Sequence, residues 1–405
     1  MIILTKIYYF LKLSDFVWAV ELHRLGLELI GLWPSSDTVS KKIIGVEIHV
    51  GFIFVTVVTI SGVPLVSALV RVWGDMTLMV DNLRITLPLI VVSFKFVIIR
   101  WKRKVLLSIV NMMAEDWIVL KLNTERNVML RKARSARLLI IFGYALMILA
   151  FIMLIILPGF GIEIRHVTNL TDQTKPLPLQ TYYFYDIDKS PQFELTFLVQ
   201  AITITLAGII YTSIDAFFGL VIFHICGQLE NFRHRLVNLV SCKNFCQTLH
   251  DIIMYHLRLI RFADNIENMF SLMLFGLVLY FCIVFCFCGF LLLSVVTDGK
   301  TNDANILQAC YMTVAIFILL THTFLYCGAG ELITIQCEAL YRAICDIEWY
   351  KLESTKARNL ILLTIRANEP FHLTAGKIVP LTMATFCSLL KTSAGYISFL
   401  FAKGS

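Results

Sequence analysis

Charge is scarce in this chain. Asp, Glu, Lys and Arg make up 16% of its 405 residues, and 58% of the residues are apolar. A soluble domain carries about 25% charged residues, so too few polar side chains are present to cover a soluble core of this size. Enzyme signatures are also missing. There is no G-x-x-x-x-G-K-[ST], no H-E-x-x-H and no G-x-S-x-G, which leaves phosphate-loop, zinc-protease and serine-hydrolase chemistry without a starting point. The nine histidines do not group at ligand spacing, and Cys242 with Cys246 amounts to half a zinc site. No catalytic residue, metal or cofactor is therefore expected. None of the eleven cysteines falls in a segment assigned below to the outside, which argues against an extracellular disulfide framework. No internal repeat is visible, as a repeat-built transporter requires. The net charge of +7 is spread beside apolar runs. That pattern suits contact with anionic membrane lipid and not nucleic acid.

What is abundant is long apolar sequence, with a mean hydropathy of +0.78. A helix needs about 20 mostly apolar residues to cross a bilayer. Seven segments qualify: 44–70, 77–100, 136–159, 194–222, 269–297, 306–330 and 379–402. The expected fold is all-α, a polytopic plasma-membrane protein with seven transmembrane helices. Lys and Arg concentrate in 1–43, 100–135, 223–268 and 331–378, most densely in "RWKRK" and "ERNVMLRKARSAR". The segments 71–76, 160–193 and 298–305 hold only Arg71, Arg165, Lys175, Lys189 and Lys300. The positive-inside rule then sets the N-terminus in the cytoplasm and the C-terminus outside. No cleavable signal peptide is expected, because lysines interrupt "MIILTKIYYFLKLSDF" and no small-residue cleavage site follows. The one N-x-S/T sequon, at Asn169, falls in an outer loop and is the expected glycosylation position. The same loop carries "TYYFYDIDKSPQ", a lid or an interfacial stretch.

Between the spans the sequence stays helical. In "SDFVWAVELHRLGLELIGLWP", Ser14 and Asp15 read as helix caps, and Trp18, Leu22, Leu25, Leu29 and Leu32 form an apolar stripe. This suits an interfacial or re-entrant helix within a cytoplasmic segment 1–43. Residues 44–330 hold spans one to six, with a ligand pocket in the outer half and cytoplasmic extensions at 223–268. Residues 331–378 form further cytoplasmic anchor helices. Together the extensions predict a cytoplasmic helical anchor bundle. Residues 379–405 form the last helix.

Charges inside spans are costly and need partners. Asp81 and Arg84 are spaced to pair on one helical face, as a local structural pair near the interface or as the border of a vestibule. Lys95 is placed to snorkel, and Asp215 reads as a structural link to a neighbouring helix or, as the alternative, as part of an ion path. A pocket is expected among the outer halves of spans two, three, four and six. Its candidate lining is Thr86, Leu87, Ile90, Tyr144, Met147, Phe151, Gln200, Thr203, Ile204, Tyr311 and Ala315. That set suits a small, mostly apolar molecule oriented by one or two hydrogen bonds. In the last span Ala384, Ser388, Lys391, Gly395, Ser398 and Ala402 recur at helical spacing. Such a stripe serves close helix packing or a water-filled path, and the sequence leaves both open.

The region 331–400 contains "EWY", "LTAGK" at 373–377 and "LLKTSAGY" at 389–396. It resembles the C-terminal signature of insect odorant receptors, and the rest of the chain is collinear with that family. The resemblance implies a subunit of an odorant-gated, non-selective cation channel, a tetramer whose pore is lined by the last helix. A tuned subunit assembles with a shared odorant co-receptor and binds a small volatile, mostly apolar ligand. The co-receptor has a much longer segment between spans four and five, so this chain resembles a tuned subunit. The implied pore residues are Lys391, Gly395, Ser398, Phe399, Ala402 and Lys403, with the outer gate near Phe399, Ala402 and Lys403. Ala402 and Lys403 depart from the co-receptor's aliphatic and amide residues there. A related gustatory receptor is the nearest alternative, but "LLKTSAGY" favours the odorant branch. A G-protein-coupled receptor would need the opposite orientation and an N-P-x-x-Y in its last span, which is absent.

Overall fold

The computed structural model describes residues 2–34, 40–119, 122–161, 177–187, 189–237, 239, 242, 244–297 and 303–404. These residues are almost entirely helical. The N-terminal helix α1 (Ile2–Leu29) is followed by α2 (Ser40–Val55), which runs through a π-helical stretch (Thr56–Gly62) into α3 (Val63–Arg71). Next come α4 (Met76–Trp101), α5 (Arg103–Val119) and α6 (Asn123–Phe151). Helix α6 passes through a second π-helical stretch (Ile152–Ile156) into α7 (Leu157–Gly159). Three long helices follow, α8 (Gln192–Val237), α9 (Phe245–Thr297) and α10 (Asp303–Cys345). The chain closes with α11 (Ser354–Ala367), strands β1 (Thr374–Ala375) and β2 (Val379–Pro380), and α12 (Met383–Gly404).

Six helical segments are long and apolar enough to cross a membrane among the described residues. Helix α12, with 22 residues, is the seventh apolar helix. Helices α8, α9 and α10 contain 46, 53 and 43 residues. At about 1.5 Å per residue they run roughly 65–80 Å, against about 30 Å of bilayer hydrocarbon. Spans four, five and six therefore continue without a break into the amphipathic extensions. Ion pairs join the helices at that end. Arg258 Nε donates to Asp116 Oδ1 at 2.7 Å, and the imidazole of His224 lies 3.0 Å from Asp116 Oδ2. Arg235 donates to Glu125 at 2.6 Å.

One feature of the N-terminal reading is corrected. Helix α1 runs straight through Ser14 and Asp15. They lie inside the helix and not at its start, and Asp15 accepts two bonds from Arg126, at 2.6 and 2.9 Å. Along the expected apolar stripe Trp18, Leu25 and Leu29 are exposed and Leu32 is buried. The packed face is Ala19, Val20, His23, Leu27 and Ile30. In a membrane an apolar residue is satisfied by lipid as well as by protein, so hydrophobicity does not select the buried face.

The "LTAGK" motif builds a tight hairpin. Thr374 pairs with Pro380 and Ala375 with Val379. The turn holds Gly376 and Lys377 at positive φ, 65° and 60°. It docks on α9, where the Gly376 N–H donates to the Ser271 carbonyl at 2.9 Å and the Lys377 N–H to Ser271 Oγ at 3.1 Å. Pro380 ends β2, so α12 begins at Met383 and not at 379.

Candidate functional site

A cavity of about 300 Å³ lies among α4, α6, α8, α9 and α10. Helix α4 presents Arg84, Ile85, Pro88, Leu89 and Val92 to it, one face at helical spacing. Helix α6 presents Gly143, Leu146, Met147, Ala150 and Phe151, and its π-helical continuation adds Met153 and Leu154. Helix α8 contributes Ile204, Thr205, Gly208, Tyr211 and Thr212. Helix α10 contributes Tyr311, Ala315, Ile318 and His322. Tyr280, Val284 and Cys288 of α9 complete the wall.

The stretch 177–187 covers one end, as a lid. Leu179, in the stretch 177–187, faces the cavity. Its N–H donates to Gln200 Oε1 at 3.0 Å, while Gln200 Nε2 donates to Thr181 Oγ1 at 2.8 Å. Asn82 Nδ2 adds a bond to the Gln180 carbonyl at 3.2 Å. Tyr182 lies under the Arg71 guanidinium, 3.5 Å from the ring centroid.

The opposite end is polar. Tyr211 and His322 meet edge to face at 5.2 Å. His322 Nδ1 lies 2.8 Å from the Ile318 carbonyl, which only a protonated nitrogen can satisfy. Its Nε2 is then an acceptor in the neutral ring. Behind Tyr211, Lys95 Nζ sits 3.4 Å from the ring centroid. It donates to Asp215 at 2.6 Å and to the Tyr326 hydroxyl at 3.0 Å. Tyr326 in turn donates to Asp215. Lys95 is wholly buried. It does not snorkel, because Asp215 offers a closer counter-charge than the membrane surface.

Of the residues expected to line the pocket, Met147, Phe151, Ile204, Tyr311 and Ala315 do. Six do not. The cavity face of α4 turns Thr86, Leu87 and Ile90 away; Thr86 bonds Asn82 and Ile90 is exposed. The Tyr144 hydroxyl meets Ser213 Oγ at 3.0 Å, against α8. Thr203 donates back to the Val199 carbonyl at 2.9 Å. Gln200 holds the lid instead of the wall. Pro88, Tyr211, Tyr280 and His322 stand in the lining without having been expected there, and so does Arg84, whose pair with Asp81 was read only as structural or as bordering a vestibule. Arg84 does pair with Asp81, at 2.6 Å, yet it also faces the cavity. The available signal was its charge inside a span.

On α12, Lys391, Gly395, Ser398 and Phe399 all lie on exposed surface of the chain, as do Ala384 and Ser388. A Cβ built on Gly395 would meet nothing within 4 Å. The opposite face packs inward, with Leu389 and Ser393 buried and Ile397 against Gly289 of α9. The small-residue stripe therefore packs on no helix of its own chain among the described residues. The side chains of Ala402 and Lys403, and all of Asn169, lie outside the described residues.

Helix α10 links the cavity to α12. Two turns beyond the cavity, Gly330 lets the Leu381 backbone approach closely, and the Met383 N–H donates to Glu331 Oε2 at 3.1 Å. Phe324 and Phe386 meet edge to face at 5.9 Å.

Comparison with known proteins agrees with this architecture. The family model described as 7tm Odorant receptor matches residues 75–394. Odorant receptor 10 of Aedes albopictus is 27% identical over 52% of this chain and 56% of its own length. Odorant receptor 13a of Drosophila melanogaster is 24% identical over 74% of this chain and 73% of its own. The match thus spans little more than half of the first relative. The solved insect olfactory receptor OR5 from Machilis hrabei superposes with a TM-score of 0.81 at 14% identity, covering 94% of this chain and 97% of that one. The same receptor has been solved in complex with eugenol, also with a TM-score of 0.81.

Proposed function

Because this chain belongs to the insect 7tm odorant receptor family, we propose that it is the odour-tuned subunit of a ligand-gated, non-selective cation channel completed by the odorant co-receptor. It is a multi-pass membrane receptor and not an enzyme. In this reading the N-terminus is cytoplasmic, and the lid and the end of α12 are outside. The long extensions of α8, α9 and α10 form the cytoplasmic anchor between subunits. The ligand is a small, mostly apolar volatile; eugenol in the OR5 complex is of that kind.

The observation that carries the proposal is the continuity of α10. It walls the cavity from Tyr311 to His322, and then grips the start of α12 through Gly330 and Glu331. A ligand that fits the cavity better in the open arrangement shifts the closed–open equilibrium by its difference in affinity. The outward stripe of α12, with Lys391, Gly395, Ser398 and Phe399, is free to line a pore shared with partner subunits. The test is co-expression with the co-receptor and recording of odour-evoked current. Rapid cation current independent of G proteins is expected. Silence across a broad odour panel despite surface expression, or a current that needs G-protein signalling, counts against the proposal.

A further inference from the structure

The lid end of the cavity holds a charged pair that an apolar pocket does not need. The Arg84 side chain is 4% exposed and faces the cavity, and its Nη2 donates to Asp81 Oδ1 at 2.6 Å. The Tyr311 ring centroid stands 4.9 Å from the guanidinium carbon. The bond to Asp81 engages one of the guanidinium's five N–H donors; Arg84 Nε and Asp81 Oδ2 are also unpartnered among the described residues, each shielded within the pair. A guanidinium carries only donors and stays charged. A buried charged donor left unmade is unfavourable, and a ligand that supplies an acceptor recovers that loss.

Resting on the odorant-site reading above, the geometry points to Arg84 as the residue that sets ligand class. It selects molecules with one neutral acceptor oxygen, the carbonyl of an aldehyde, ketone or ester, at the end of an apolar chain. The chain runs inward past Ile85, Leu89, Met147 and Ile204 toward Tyr211, all of which line the cavity. From Arg84 to Val92, α4 advances about 12 Å, which suits a medium-length chain. A hydrocarbon of the same length offers the Arg84 guanidinium no acceptor. A carboxylate is disfavoured, because Asp81 already balances Arg84 and a second anion would be buried without a counter-charge.

The test uses the full-length chain with its co-receptor partner in nanodiscs. Octanal, methyl octanoate, octane and octanoate are compared by ligand-induced thermal stabilisation, and currents are recorded in parallel. The wild type is expected to bind octanal and methyl octanoate about tenfold or more tighter than octane or octanoate. Arg84→Met together with Asp81→Leu removes both charges and is expected to erase that preference while octane still binds. The wild-type series needs no variant, so it decides even where the double substitution does not fold. Equal wild-type binding of octane and octanal overturns the inference. So does octanoate as the tightest probe, or a double variant that keeps the preference. Binding without current overturns the channel reading and leaves selection by Arg84 standing. Absence of binding by all four overturns both.

Discussion

Replacing Lys95 with methionine removes the cation from the buried pair behind the cavity. Its partner Asp215 is only 16% exposed and lies 2.6 Å from Nζ. Breaking a buried pair from one side costs about 3–5 kcal/mol, mostly because the remaining charge is left uncompensated. Asp215 keeps the Tyr326 hydroxyl as a donor, so Lys95→Met is expected at the low end, about 3 kcal/mol. Asp215→Leu strands a lysine with 0% side-chain exposure, and its cost is expected near the upper end, about 5 kcal/mol. The double variant buries no charge and loses only the hydrogen bonds to Tyr326, so it is expected to be more stable than either single variant. The assay is a double-mutant cycle on purified protein in nanodiscs, with heat-induced loss of monodisperse protein as the readout. If the double variant loses as much as the two singles added together, the charges do not interact in the folded chain. The reasoning about the cavity floor then fails.

Four further outcomes are expected. His23 of α1 is buried, and burial pulls its imidazole from 6.5 to about 4, with the Ala136 backbone opposing and Arg137 adding to the shift. The unfolded chain therefore takes up the proton first, so this contribution to stability is complete above pH 6.5 and is lost as pH falls toward about 4. In a pH series of thermal scans, His23→Leu should lose stability less steeply over that window than the wild type; parallel curves refute it. Gly330→Ala places a methyl group against the Leu381 carbonyl, whereas Gly328→Ala meets nothing within 4 Å. The first should abolish most odour-evoked current with ligand binding retained, and the second should leave current unchanged; equal effects refute the α10–α12 link. Gln200→Ala releases the lid at Leu179 and Thr181, removing hydrogen bonds worth about 0.5–1.5 kcal/mol each. Hydrogen exchange across 177–187 should speed up, and unchanged protection would falsify the lid role. Lys391→Met should alter cation conductance with assembly intact; lost assembly would instead place Lys391 against a partner helix.

Much of the architecture was readable because its causes are local or compositional. Twenty apolar residues in lipid have few options besides a helix, since every backbone polar group must be paired within the segment. Amphipathic runs directly after spans four and six and directly before span five carry no breaker, so the helices continue. The Asp81–Arg84 pair follows from spacing alone. The site was less legible. Placement of spans two, three, four and six around a pocket was readable, but helix rotation was not. An error of about 100° per residue in facing exchanges Ile85 for Thr86. In a membrane both the lipid face and the packed face are apolar, so the hydrophobic pattern does not orient the helix.

By itself, then, the sequence determined the membrane class, the apolar helices and the family, which rest on composition, length and short motifs such as "LTAGK" and "LLKTSAGY". Tertiary structure alone decided that Lys95 meets Asp215 across 120 residues of chain, that Arg84 faces a cavity, that Gln200 holds a lid and that the small-residue stripe of α12 faces outward. Those outcomes depend on the rotation and approach of helices far apart in the chain. They are set by packing and by the need of each buried charge for a partner, and neither is encoded in any single segment.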